Sequence, residues 1–109
     1  MKGVTVMSFD KNLLLRSWLH AHEEDAPDRV VFRPASYSLP PSRGRSGYTF
    51  FPDGHAIKIS PGPADRPIQV RGTWSMDDEG KITICIPDQL DIVLEINDLN
   101  ADWMIIKKQ

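Results

Sequence analysis

"KITICIP" (81–87) and "LDIVLEIN" (90–97) are the two stretches that decide the fold of this chain. Isoleucine occupies every second position of the first, and leucine or isoleucine recurs at the same spacing in the second. Because successive side chains of a strand point to opposite faces, this alternation predicts two strands that each bury one face. The residues expected in the core are Ile82, Ile84, Ile92, Leu94 and Ile96.

The remainder of the chain divides into further short strands. Its nine prolines and seven glycines concentrate between positions 27 and 87, as in an all-β protein. Asp-Gly at 53–54 lies between two β-rich runs and predicts a hairpin, and Gly72 inside a long strand predicts a bend or bulge. Residues 35–45 form the one long connection. The predicted strand segments are 16–24, 28–34, 46–60 (two strands), 66–77, 81–87, 90–97 and 102–108, the last with Trp103 and Ile105 inward.

The N-terminal part permits two interpretations. Asp10 can cap a helix that begins at Lys11, and such a helix could continue to Glu24. The alternative is a short helical turn over 9–14 followed by a strand over 16–24. We favour the second, because it supplies about eight strands, which can close a small barrel without exposed edges. The prediction is an all-β, up-and-down antiparallel barrel with a short N-terminal helix, forming one domain over 1–109.

Composition excludes several classes of partner. The formal net charge is -2, which lacks the basic surplus expected of a nucleic-acid-binding protein. The longest apolar run near the N-terminus, 13–15, is too short for a membrane span. Cys85 is the only cysteine, so an internal disulfide is excluded and a reducing compartment is indicated. We therefore expect a cytoplasmic protein without nucleic-acid or membrane partners, and the sequence carries no sign of its oligomeric state.

The chain resembles the lipocalin-like, or calycin, group of small β-barrels. The resemblance rests on Trp18 after a short helical segment, on "YTFFPDG" (48–54) and on "GTW" (72–74). "PPSRGR" (40–45) and "GPADRP" (62–67) are similar to an uncharacterised bacterial branch of that group. The resemblance extends from Leu14 onward and implies a barrel that binds a small ligand. Arg16 stands where lipocalins proper have a glycine.

"HAHEED" (20–25) is the densest group of titratable residues. In a strand, His20, His22 and Glu24 would share one face with Trp18, and two imidazoles at that spacing can reach one metal ion. His55 could supply a further ligand. The alternative is that the histidines are polar or ion-paired residues of an ordinary strand.

The arginines Arg43, Arg45 and Arg66 lie in segments framed by proline and glycine. Guanidinium groups suit carboxylate or phosphate ligands, so these residues could form an anion site at one end of the barrel. The alternative is a network of ion pairs with the acids of 23–25 that fastens the long connection over that end. In a simple meander "HAHEED" and "RGR" lie at opposite ends, yet their opposite charges predict that they meet.

The sequence therefore leaves three hypotheses for the function. The first is a binding module for a small, partly polar ligand; the second is a small enzyme that uses His/Glu acid–base chemistry or a metal; the third is an interaction protein with a filled barrel. No cofactor and no metal is assigned. The predicted ligand-binding residues are His20, His22, Glu24, Arg43, Arg45, Arg66, Trp18 and Trp74.

Overall fold

A computed structural model describes residues 10–41, 44–63 and 66–108 of the chain. It shows a closed barrel of eight strands in which every neighbouring pair is antiparallel. The all-β class and the closed eight-stranded barrel are thus confirmed. The strands are β1 (Ser17–His20), β2 (Arg29–Pro34), β3 (Gly47–Phe50), β4 (His55–Ser60), β5 (Ile68–Met76), β6 (Lys81–Cys85), β7 (Ile92–Leu99) and β8 (Met104–Lys107).

The up-and-down order departs from a simple meander at one point. Strands β3 to β8 are successive neighbours, but β2 pairs with β8 and β1, and β1 lies between β2 and β3. Because β1 is antiparallel to both, β2 and β3 run in the same direction. The connection over 35–46 must therefore return along the length of the barrel, and it delivers the start of β3 to the end where β1 finishes.

This topology defines two ends of the barrel. We call the end where β1 begins the Leu14 end; it also holds the turns over 51–54, 77–80 and 100–103. We call the end where β1 finishes the His20 end; it also holds the connections over 21–28 and 86–91 and the described residues 61–63 and 66–67.

The prediction of a short N-terminal helix is wrong, because Lys11–Leu14 form only a single 3-10 turn. Asp10 caps it as predicted, its Oδ1 accepting from the Asn12 N–H at 2.9 Å. Leu14 is fully buried, and the Trp18 indole N–H donates to the Leu14 carbonyl at 3.2 Å. Leu14, the last residue of the turn, thus lies inside the end of the barrel. No helix among the described residues is long and apolar enough to cross a bilayer.

Strand β1 is shorter than the predicted 16–24. It ends at His20, and His22–Glu24 form a second 3-10 turn, so His22 does not continue the strand face of Trp18 and His20. The Asp25 carboxylate accepts from the Val31 N–H at 2.9 Å, where a longer β1 would have offered a backbone carbonyl. The Asp25 side chain thus takes the place of a backbone acceptor for Val31, and the chain can turn away from the sheet after His20.

The predicted core is largely confirmed. Ile82 and Ile84 are fully buried and Ile96 is nearly so, while Ile92 and Leu94 are half-buried and pack against the same cluster. The inward face of β8 was predicted wrongly, because Met104 and Ile106 are the buried residues there. Their register explains this: Met104 lies opposite buried Leu99 and Ile106 opposite Ile96, across a bulge in β7.

Gly72 lies on β5 close to the backbone of β6. A Cβ atom at this position would lie 2.3 Å from the Cys85 carbonyl oxygen, a distance that no side chain can accept. The predicted bulge at this glycine is wrong, because β5 keeps an uninterrupted register with β4 through Gly72. The glycine instead marks a close approach of two strands.

Candidate functional site

On several strands the inner wall of the barrel is buried toward the Leu14 end and reaches solvent toward the His20 end. On β1, Trp18 is fully buried, whereas the next inward residue, His20, is half-buried with a side-chain exposure of 26%. On β3, Phe50 is 1% exposed and the next inward residue, Tyr48, is half-buried. Because side chains alternate across a strand, each pair lies on one face and differs only in height along the barrel.

Strand β4 repeats this change and places a lysine on the inner wall. Ala56 is 1% exposed, and Lys58, two residues further toward the His20 end, is half-buried. Lys58 lies directly opposite Tyr48 on β3 and Val70 on β5, and both of these pack against the core. Burial raises the pKa of Tyr48, so its phenol stays protonated at neutral pH.

Arg45 fastens the long connection to the end of β1. Its guanidinium donates to both carboxylate oxygens of Glu23, at 2.8 and 2.5 Å, to the His20 carbonyl at 2.9 Å and to the Pro40 carbonyl at 2.7 Å. The Arg45 side chain is only 8% exposed. Its hydrogen bonds hold the pKa of Glu23 at about 2, so this carboxylate is ionised and weakly basic. The predicted meeting of "HAHEED" and "RGR" is therefore present, through Glu23 and not Glu24.

Glu24 has a different partner, on the outer face of β2. The Arg33 guanidinium donates to its two oxygens at 2.6 and 2.8 Å and to the Asp102 carbonyl at 3.1 Å. Arg33 also lies over the rings of Tyr37 and Trp103, at 4.4 and 5.4 Å. The hydrogen bonds from Arg33 lower the pKa of Glu24. Sequence reasoning missed Arg33, although its outward position in "RVVFRP" makes it available to an acid beside β2.

The third acid of the segment holds a histidine. The His20 Nε2 lies 2.8 Å from Asp25 Oδ2, and since a carboxylate only accepts, this nitrogen carries the hydrogen. The His20 ring also packs 5.4 Å from Phe32 and 6.1 Å from His22, measured between ring centroids. His20 is thus held at the edge of the His20 end, which we call the rim. Asp25 lies on one side of its ring and Phe32 on the other.

The predicted site residues do not all lie at one end of the barrel. His20, His22, Glu24, Arg45 and Arg66 lie at the His20 end, and Arg43 falls outside the described residues. Trp18 and Trp74 belong to the part of the barrel nearer the Leu14 end. The Trp74 indole N–H donates to the Phe51 carbonyl at 2.9 Å, and the fully buried Trp18 donates to Leu14.

His55 lies at the turn between β3 and β4, at the Leu14 end. Its Nδ1 is 2.8 Å from Asp53 Oδ2, and its own backbone N–H is the main cause of the lowered pKa of Asp53. The suggestion that it joins His20 and His22 around a metal is therefore wrong. Within 10–41, 44–63 and 66–108, no three His, Cys, Asp or Glu side chains converge on a common point where a metal ion could bind.

The residues that sequence reasoning missed are two of the inner wall, Lys58 and Val70. A signal for Lys58 was present. In "HAIKIS" (55–60) the small Ala56 and Lys58 occupy alternate positions, so a buried Ala56 requires Lys58 to share the inner face.

No family model, curated protein or solved structure matches the chain. The fold is therefore assigned from the structure itself. A closed eight-stranded antiparallel barrel is compatible with a lipocalin-like protein.

Proposed function

We propose that the protein is a lipocalin-like binding module that takes a small, partly polar ligand into the barrel at its His20 end. The observation that carries this proposal is the change in burial along the inner wall. On β1, β2, β3, β4 and β7 the inward residues nearest the His20 end are half-buried and those nearer the Leu14 end are buried, whereas Ile106 on β8 and Ile86 after β6 stay buried. Val30, Val70 and Ile92 offer apolar surface at the same end as Tyr48 and Lys58. Apolar walls with a few polar groups are typical of small-molecule sites.

The paired residues of the rim have a supporting role in this proposal. Arg45 already donates four hydrogen bonds, and Glu24 is held by Arg33, so neither has much capacity left for a ligand. They stabilise the long connection and thereby keep the opening in shape. His20, His22 and Arg66 remain the rim residues proposed to contact a ligand.

A His/Glu enzyme is less well supported. An acid–base catalyst needs a pKa near the working pH. The arginine partners instead lower the pKa values of Glu23 and Glu24, Glu23 to about 2. These carboxylates are suited to holding charge and poorly suited to exchanging protons, which favours binding over catalysis at this end.

An interaction protein with a filled barrel is also less well supported. Such a protein needs a contiguous exposed apolar patch. The large exposed apolar side chains of the described residues lie in different places: Phe51 at the Leu14 end, Ile68 and Leu90 at the His20 end, Tyr37 in the long connection and Val93 on the outer face of β7.

The test is to fill the opening and measure the binding of a neutral fluorescent probe, phenylnaphthylamine. Val70→Trp places a large ring on the inner wall. The matched control, Val93→Trp, places the same ring on the outer face of β7, where Val93 is 48% exposed. We expect binding to the unsubstituted protein, at least about tenfold weaker binding to Val70→Trp, corresponding to about 1.4 kcal/mol, and unchanged binding to Val93→Trp.

Circular dichroism and thermal unfolding establish that both variants remain folded. The proposal is overturned if the unsubstituted protein does not bind the probe. It is equally overturned if a folded Val70→Trp variant binds as well as the Val93→Trp control does.

A further inference from the structure

Lys58 is a cation on the inner wall for which the described residues supply no anion. The three acids of "HAHEED" are engaged elsewhere: Glu23 with Arg45, Glu24 with Arg33 and Asp25 with His20. None of the ion pairs found within 10–41, 44–63 and 66–108 includes Lys58.

The neighbours of Lys58 make this position unusual for a surface lysine. It is half-buried and lies between Tyr48 and Val70, whose side chains pack against the core. A charged group removed from water is costly unless a group of opposite charge or a hydrogen-bond acceptor accompanies it.

Tyr48 adds a second donor next to this cation. Its Cβ lies on the same face as that of Lys58, at the separation of about 4.5–5.5 Å that directly opposed residues of an antiparallel pair have. A tyrosine hydroxyl carries its hydrogen at neutral pH and can donate it, and burial raises the pKa of Tyr48 further. An ammonium and a phenol side by side are complemented by an acceptor that carries negative charge.

We propose that the ligand of this barrel is a small organic carboxylate whose head group binds between the Lys58 ammonium and the Tyr48 hydroxyl and whose apolar part contacts the inner wall at Val70. This inference rests on the proposed function and gives the ligand its chemical class. It also separates two tasks: the rim arginines hold the opening in shape, and the lysine inside selects the charge.

The experiment measures how well octanoate and octanol displace phenylnaphthylamine from the protein. The two compounds share an alkyl chain and differ in the charged head group. We expect octanoate to displace the probe at a concentration about tenfold lower or better, since hydrogen bonds to a charged group are stronger than those between neutral groups. Lys58→Met and Lys58→Gln should abolish this preference. Tyr48→Phe should reduce it severalfold.

Lys107→Met is the matched control. Lys107 is an exposed strand lysine on β8, next to inward-facing Ile106, so it points away from the barrel interior. Removing its charge should leave the preference for octanoate unchanged. This control separates a specific contact from a general effect of net charge on an anion.

Every result of the displacement experiment either supports or overturns the proposed carboxylate site. Loss of the preference in both Lys58 variants, with neutral-probe binding and the Lys107→Met control intact, supports the proposal. Equal displacement by octanoate and octanol in the unsubstituted protein, or a preference that survives in the Lys58 variants, overturns it and leaves the binding site itself standing. Loss of neutral-probe binding in both Lys58 variants also overturns it, because Lys58 would then support the wall. Failure of the probe to bind the unsubstituted protein removes the proposed function as well.

Discussion

The two ends of the barrel are built from the same strands but stabilised in different ways. At the Leu14 end, inward positions hold side chains such as Trp18 and Phe50, which are almost completely buried. At the His20 end, the next inward positions on the same strands hold His20 and Tyr48, and the order of the rim comes from ion pairs such as Arg45–Glu23. Apolar packing supports one end and charged hydrogen bonds support the other.

This difference indicates at which end the barrel can be open without losing its stability. A packed core provides most of the stability of a small domain, so half-buried positions are tolerated only where another part of the barrel compensates. The Leu14 end supplies this compensation through its plug of Leu14 and Trp18. The His20 end is therefore free to carry polar groups on its inner wall.

The largest expected effect is the loss of a side chain from the Leu14 end. Phe50→Ala should lower the free energy of unfolding by about 3–5 kcal/mol, the range for emptying a packed aromatic site. The measurement is equilibrium unfolding in urea. Val70→Ala, on the inner wall at the His20 end, should cost about 1 kcal/mol, because it removes two carbon atoms from a half-buried position. Equal costs at the two positions would show that the His20 end is packed as tightly as the Leu14 end.

A smaller effect should follow from releasing the rim. Arg45→Met keeps an apolar stem and removes the hydrogen bonds to Glu23, to His20 and to Pro40. We expect a loss of about 1–2 kcal/mol, since charged hydrogen bonds are lost while the freed carboxylate can turn to water. Amide hydrogen exchange should also rise in the long connection while β6 stays protected.

Arg29→Met is the control for that measurement. Arg29 is exposed at the start of β2, and its substitution should change stability by less than about 0.5 kcal/mol. If both variants behave alike, the Arg45 network does not fasten the connection and the contrast between the two ends loses its physical basis.

The part of this fold that could be predicted from the sequence is the part governed by local alternation. The isoleucines of β6 and the Asp-Gly turn follow from residue spacing alone, and both are where the sequence places them. The position of β1 between β2 and β3 does not, because strand order depends on which edges remain unpaired once the meander has formed. The same limit explains His22: a strand pattern continues through it, but Asp25 replaces the backbone acceptor and ends β1 early.

The candidate site, too, could be predicted from the sequence only in part. Opposite charges predicted that "HAHEED" and "RGR" meet, and they do so because the connection over 35–46 returns along the barrel. The particular pairs could not be predicted, since Glu23 and Glu24 are adjacent and yet reach arginines in different elements, Arg45 in the long connection and Arg33 on β2. Lys58 was overlooked because its charge suggested an outward position, whereas the alternation with Ala56 places it inside.

The smallest expected effect concerns the response of the rim to acid. Hydrogen bonds from Arg45 hold the pKa of Glu23 at about 2 in the folded protein, against an ordinary value of 4.5. A carboxyl whose pKa is lowered by folding stabilises the folded state fully above its unfolded pKa, and this stabilisation is lost as pH falls through the folded value. The contribution of Glu23 should therefore be complete above about pH 4.5 and should decline until about pH 2. The carboxyl is exposed to solvent, so the decline should be modest.

Glu23→Gln isolates this contribution from those of other acids. Asp53, Asp77 and Glu24 also have lowered pKa values, so the whole protein loses stability in acid for several reasons. The difference in unfolding free energy between the unsubstituted protein and the Glu23→Gln variant cancels those shared terms. That difference should be largest near neutral pH and should shrink as the pH is lowered from about 4.5 to about 2. For Glu79→Gln, a change at an exposed turn of the Leu14 end, the difference should stay near zero throughout. A difference for Glu23→Gln that is constant across the acid range would mean that Arg45 holds this carboxylate no more tightly than water does, and the rim would then owe its order to the backbone contacts of Arg45 with His20 and Pro40 alone.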